Sequence, residues 1–146
     1  MNSQLLKILI VDDEALIRDL LKRCVDWNNL GLEVVGEASS AREAMEIMEK
    51  QLPDIVFTDI CMPHMDGIEL SKSIGERYPQ TKVVIITGYE DFDYAQRSIK
   101  AGVADYILKP INDEEISRIA VKVKEMIEAE RSKTTEYERL KRQLEE

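Results

Sequence analysis

Several residue types that mark specialised proteins are scarce in this sequence. Two cysteines, Cys24 and Cys61, are too few for a disulfide framework. A bridge between them is one reading. Met1–Lys7 has no signal-peptide pattern, so we read them instead as free thiols. The single histidine, His64, has no His or Cys set around it to complete a transition-metal site, and reads as a solvated loop residue. No apolar run approaches the ~20 residues needed to span a bilayer. Basic residues are the minority, 20 Lys and Arg against 29 Asp and Glu, which gives a net charge of −9. That balance argues against direct nucleic-acid binding and against a polybasic membrane anchor. Glycine patterns of the GxGxxG or P-loop type, which cradle nucleotides, are missing. A cytoplasmic location is the expectation.

The chain does contain the material of one ordinary domain with a surplus: 146 residues, 44% of them hydrophobic. Five short apolar runs recur: Ile8–Val11, Val34–Val35, Ile55–Phe57, Val83–Ile86 and Tyr106–Leu108. Most are β-branched and continuous, as expected of parallel strands covered on both faces. Helical stripes at 3- and 4-residue spacing follow them. These are Ile17, Leu20, Leu21 and Cys24; Ala41, Ala44, Met45 and Met48; Gly67, Leu70, Ile74 and Tyr78; Phe92, Ala95 and Ile99; and Ile116, Ile119, Ala120 and Val123. Strict alternation of strand and helix specifies an α/β fold with a parallel sheet. Five units are too few for a (β/α)₈ barrel, which leaves an open doubly wound sheet; for five strands the common, flavodoxin-like order is 2-1-3-4-5. Its ligand crevice would lie at the carboxyl ends of the first and third strands.

Those strand ends carry the chemistry. Asp12, Asp13 and Glu14 follow the first run, Asp59 the third, Thr87 and Gly88 the fourth, and Lys109 and Pro110 the fifth. In a parallel sheet all of them reach one edge. Asp12 and Asp13 alone could equally be helix caps. All four strand ends in one register are harder to explain that way. Crowded carboxylates repel, and a hard divalent cation such as Mg²⁺ (or Mn²⁺) relieves them. Carboxylate, cation, ammonium and hydroxyl together suit a phosphoryl group, with a carboxylate as possible nucleophile.

The motifs Ile8–Glu14, Asp59–Gly67, Ile86–Gly88 and Ala101–Pro110 resemble the receiver domain of bacterial two-component response regulators, over about residues 6 to 125. The resemblance implies a phosphoacceptor at Asp59 and Mg²⁺ held by Asp13, Asp59 and the backbone carbonyl of Cys61, with Asp12 acting through a metal-bound water. It implies that Thr87 and Lys109 bind the phosphoryl oxygens, that Gly88 leaves room for them, and that Tyr106 is a switch aromatic. The Lys109–Pro110 bond would be cis, and Cys61 and Tyr89 would modulate the rate of phosphoryl loss. Such a domain takes its phosphoryl group from a sensor histidine kinase and is not a turnover enzyme. On modification, the face formed by the helix over 92–99, the fifth strand and the helix after it would change. The stretch Thr87–Ala95, with Trp27, Leu30 and Gly31, is similar to the subfamily with an AraC-type helix-turn-helix output. The ending at Gln143–Glu146 is expected to be that of a fragment, with a stand-alone receiver as the alternative.

Residues 1–125 are thus expected to form the receiver domain and 126–146 a helical extension. Ile116, Ile119, Val123 and Met126 continue in register through the polar Glu130 and Lys133 to Tyr137, Leu140 and Leu144. That is a coiled-coil pattern with a weak centre. One reading is a solvated, fraying tail. The other is a dimer helix leading to an output domain; the helix–strand–helix face is the other candidate dimer surface. Phe92 is expected in the core and Tyr94 as a partner contact or an ordinary exposed residue, while Trp27 simply packs. A Mg²⁺-dependent phosphohydrolase is the competing class, but it would want a second acid where Cys61 stands, and a cap for which no insertion is long enough.

Overall fold

The computed structural model describes residues 5–88, 93, 96 and 102–145. Its elements are β1 (Leu6–Val11), α1 (Ala15–Arg23), a short 3₁₀ turn at Asn28–Leu30, β2 (Leu32–Ala38), α2 (Ala41–Gln51), β3 (Ile55–Asp59), α3 (Gly67–Arg77), β4 (Lys82–Thr87), β5 (Asp105–Leu108) and α4 (Asp113–Glu145). The stripe expected at Phe92, Ala95 and Ile99 lies outside the described residues, as do Tyr89 and Tyr94.

All pairings are parallel, as the alternation of runs and stripes implied, and the sheet has the expected order β2-β1-β3-β4-β5. The central strands β1, β3 and β4 are buried on both faces, and successive side chains enter different cores. Ile8 and Ile10 join Leu21, Trp27, Phe57, Ile116, Ile119, Ala120, Val123 and Ile127 on one side. Leu9 and Val11 join Ala41, Ala44, Met48, Leu70 and Ile74 on the other. Trp27 packs against Phe57 with ring centroids 5.8 Å apart, and its Nε1–H donates to the Leu21 carbonyl at 3.1 Å.

Local signals set the helix ends. Ser40 Oγ accepts the Glu43 N–H at 3.1 Å, while Glu43 Oε1 accepts the Ser39 N–H at 2.7 Å, a reciprocal cap at the start of α2. Asp66 Oδ1 caps α3 by accepting the Ile68 and Glu69 N–H groups. Asn112 Oδ1 does the same for Glu114 and Glu115 at the start of α4. The 3₁₀ turn closes on Gly31 at φ 81°, in the left-handed region.

Two expectations need correction. Leu20 is not part of the buried stripe of α1: it and Leu16 are exposed, at 45% and 82%, and Leu21 makes the core contact. Ile116, Ile119 and Val123 cannot open a dimer stripe, because they are buried against their own sheet, and Met126 is half-buried beside them. The contacts of α4 with this core run as far as Ile127.

Beyond Ile127 two ion pairs tie α4 to the amino-terminal edge of the sheet. Lys82 Nζ, at the start of β4, meets Glu130 Oε1 at 2.7 Å. Arg131 Nη2 meets Asp54 Oδ1 just before β3, and Asp54 Oδ2 also accepts the Lys7 N–H at 2.8 Å. The polar interruption in the coiled-coil pattern therefore has a local use.

Candidate functional site

Register alone assembles the site. Val11 pairs with Thr58 and Asp59 with Ile86, so Asp12, one step beyond β1, comes beside Asp59. Thr87 pairs with Leu108, and the Lys109 N–H donates to the Thr87 carbonyl at 2.8 Å. Four strand ends thus bring carboxylates, a hydroxyl and an ammonium to one edge of the sheet.

Asp59 is buried, and its Oδ1 accepts from Lys109 Nζ at 3.0 Å. Asp12 is 1% exposed. Its Oδ1 accepts the Glu14 N–H at 2.8 Å, while its Oδ2 is buried with no hydrogen-bond partner among the described residues. The capping alternative fails for Asp12, since that bond closes a local turn, and the N-cap of α1 is Glu14, which makes no side-chain cap. Asp13 and Glu14 are exposed, and ligand atoms of Asp12, Asp13 and Glu14 all lie within 4.8 Å of one another.

The electrostatics follow from this crowding. Burial pushes the Asp12 carboxyl up to about 6, and the nearby Asp59 and Asp13 charges add to the shift; the Glu14 N–H and Lys109 oppose it without cancelling it. Burial likewise raises Asp59, despite its hydrogen bond to Lys109. For Lys109 burial alone would lower the ammonium's pKa, but the bond to Asp59 and the charges of Asp59, Asp12 and Glu14 outweigh it, so the pKa is raised. Lys109 therefore stays cationic, and the carboxylates together exceed its one positive charge. A buried, unpartnered carboxylate oxygen beside further acidic groups is a donor set fitted to a hard divalent cation.

The other expected residues fall around this centre. Thr87 is buried and its hydroxyl donates to the Gly88 carbonyl at 3.1 Å. A Cβ built on Gly88 would meet nothing within 4 Å among the described residues, which leaves the space expected there. Cys61 is exposed at the start of the loop after β3, and His64 is exposed further along it. Tyr106 is half-buried against the core beneath α2 and α3. The Lys109–Pro110 bond is cis.

Two residues support the site in ways the sequence did not reveal: Arg18, and Gly67, which the sequence placed only in a helical stripe and a family motif. Arg18 Nη1 donates to the Asp12 carbonyl at 2.7 Å while its Nε pairs with Glu37 Oε1 at 2.8 Å, so α1 and β2 together hold the backbone at Asp12. Gly67 is the other. A Cβ there would lie 2.3 Å from the Asp59 carbonyl oxygen, so only glycine lets α3 start this close to the end of β3. The Gly67 N–H also donates to the Ile60 carbonyl at 2.9 Å.

Comparison with known proteins agrees with this geometry. The response regulator receiver domain model matches residues 8–121, and the chain belongs to that family. Among solved structures it is similar to the receiver domain of AraT, a response regulator from Geobacillus stearothermophilus, with 42% identity and a TM-score of 0.82 over 87% of this chain and 98% of that one. It is similar also to a two-component transcriptional regulator AraC from Clostridium phytofermentans, with 37% identity and a TM-score of 0.78 over 84% of this chain and 95% of that one. Among curated proteins, the transcriptional regulatory protein YesN of Bacillus subtilis is 39% identical over 110 residues, which are 75% of this chain and 30% of YesN. HptR of Staphylococcus aureus is 33% identical over 113 residues, 77% of this chain and 44% of HptR. The match thus spans less than half the length of these curated relatives. Among the described residues no helix is long and apolar enough to cross a membrane.

Proposed function

We propose that the chain is a phosphorylation-controlled input module, acting in the cytoplasm, that accepts one phosphoryl group on Asp59 from a phosphohistidine of a sensor histidine kinase. The observation that carries this reading is the pairing of buried Asp59 with Lys109 at 3.0 Å, beside the unpartnered Asp12 Oδ2. Mg²⁺ (or Mn²⁺), held by Asp12, Asp13, Asp59 and the Cys61 carbonyl, would supply charge neutralisation at the phosphoryl oxygens. In the transfer, an Asp59 carboxylate oxygen forms the new bond to phosphorus while the P–N bond to the donor imidazole breaks and its electron pair returns to nitrogen. Lys109 Nζ shifts from Asp59 to a phosphoryl oxygen. The Thr87 hydroxyl exchanges the Gly88 carbonyl for another, and Tyr106 then moves into the space Thr87 leaves. Exposed Leu16 and Leu20 on α1, beside the acidic mouth, offer an apolar landing surface for the kinase.

The reaction is single and stoichiometric rather than a turnover. The output is transcriptional, since regulators of transcription stand among the relatives. Residues 1–125 are the receiver unit, and 126–146 connect it to that output. Intact-mass analysis after incubation with acetyl phosphate and Mg²⁺ tests the assignment. One phosphoryl group per chain is expected for the wild type and none for Asp59→Asn. Labelling of Asp59→Asn at the wild-type rate, or steady hydrolysis of a generic phosphate ester by the wild type, would overturn it.

A further inference from the structure

After Ile127 the long helix α4 has left the core, yet it is not uniformly polar. Tyr137, Leu140 and Leu144 are exposed at 68%, 48% and 88%. They follow one another at spacings of 3 and 4, so they form one stripe, and Ala129 is the only other apolar residue from Glu128 to Glu146. Isolated exposed leucines need no explanation, but three large apolar groups aligned on a charged helix do. This stripe cannot fold back on its own domain, because the Lys82–Glu130 and Arg131–Asp54 pairs and the docked Ile127 fix where α4 leaves the sheet.

We infer that residues 133–145 pair with the same segment of a second copy of this chain, as a short parallel, in-register coiled coil centred on Leu140. This deepens the connector assigned above to residues 126–146. In a parallel pair, like positions meet across the axis and the three apolar residues form three successive layers. Glu136 then flanks the seam one heptad position before Tyr137, and Lys141 of the other helix flanks it one position after Leu140, which sets opposite charges against each other twice per dimer. An antiparallel pair would oppose a-type to d-type positions, stacking Tyr137 on Leu140 but leaving Leu144 against Lys133. Parallel pairing is therefore the arrangement that both the apolar spacing and the charges favour. Helix nucleation, the step that makes short coiled coils marginal, is already met by the docked turns from Ile116 to Ile127.

Sedimentation equilibrium of the full chain tests this, with phosphoryl labelling run on the same samples. The wild type is expected to dimerise reversibly at submillimolar concentration. Leu140→Glu should weaken the dimer at least about tenfold, equivalent to ~1.4 kcal/mol, while labelling at Asp59 is unchanged. Glu136→Lys and Lys141→Glu should each weaken it, and the two together should restore it. A monomeric wild type, or a dimer indifferent to Leu140→Glu and so formed by another face, overturns the inference. Failure of the double charge exchange to rescue overturns the parallel arrangement. Because labelling is read separately, loss of the dimer and loss of the phosphoacceptor assignment are distinguishable.

Discussion

At Asp12 the protein gives up stability for its site. A buried carboxyl with one orphan oxygen and a pKa of about 6 binds a proton more tightly folded than unfolded. Unfolding then releases protons, so ionisation of Asp12 costs stability as pH rises from the ordinary carboxylate range through about 6. The rise to about 6 sets this cost at about 1–3 kcal/mol. Asp12→Asn is accordingly expected to stabilise the metal-free protein by that amount at neutral pH and to flatten this part of the pH profile. Urea denaturation at a series of pH values measures both. Gly67→Ala should do the opposite: with its Cβ 2.3 Å from the Asp59 carbonyl, either α3 or the end of β3 must move. A loss of about 1–3 kcal/mol is expected, together with slower labelling of Asp59. The two residues differ in how visible they are in the sequence. Asp12, Asp13, Asp59, Thr87 and Lys109 stand out because each lies within two residues of the end of an apolar run. Gly67 and Arg18 do not, because their importance lies in a close approach to, and a bond with, backbone atoms distant along the chain.

Among the elements, the strands were legible because β-branched runs need no tertiary context, and the caps at Ser40, Asp66 and Asn112 are local chemistry. The helices were less so. A 3–4 spacing identifies a face but not its width, so Leu20 looked like core when Leu21 fills that place. In α4 the same spacing runs through two different environments, the domain's own core as far as Ile127 and solvent from Glu128 onward. The change of environment coincides with the Glu130 and Arg131 ion pairs. No local pattern announces them, since Arg131 and Asp54 are 77 residues apart. Just after these pairs, the Thr134 and Thr135 hydroxyls donate back to the Glu130 and Arg131 carbonyls at 3.0 and 2.9 Å, a pattern that weakens helices. Replacing Lys82 and Arg131 together with alanine should leave global stability within about 1–2 kcal/mol, since one partner of each pair lies in solvent, which screens the attraction. It should nonetheless lower hydrogen-exchange protection across 128–135 by severalfold, because the helix there has no apolar contact to replace them. Unchanged protection would show that the pairs do not hold the helix.

For the whole molecule, acidity has two roles. Most of the −9 charge is spread over the surface, whereas Asp12, Asp13, Glu14 and Asp59 are concentrated at one sheet edge against Lys109. A divalent cation should therefore stabilise the folded chain by mass action, by ~2.7 kcal/mol at a concentration one hundred times its dissociation constant. Calorimetry with and without Mg²⁺ should show the rise in the wild type and its loss in Asp12→Asn; an equal rise in both would place the ion elsewhere. The fold and the site were readable because both depend on what ends each strand. The ties across the opposite edge were not, because they join elements distant in sequence. Those ties have a mechanical consequence. From Ser132 to Glu145 the helix extends past its last anchor by about 21 Å, at 1.5 Å per residue. It is a lever with its fulcrum at Glu130 and Arg131, and a tilt of ~10° in the docked turns would sweep its tip through roughly 4 Å, about half the separation of two packed helices. A small rearrangement inside the domain is thereby converted into a displacement large enough to bring a second lever into contact or to part the two.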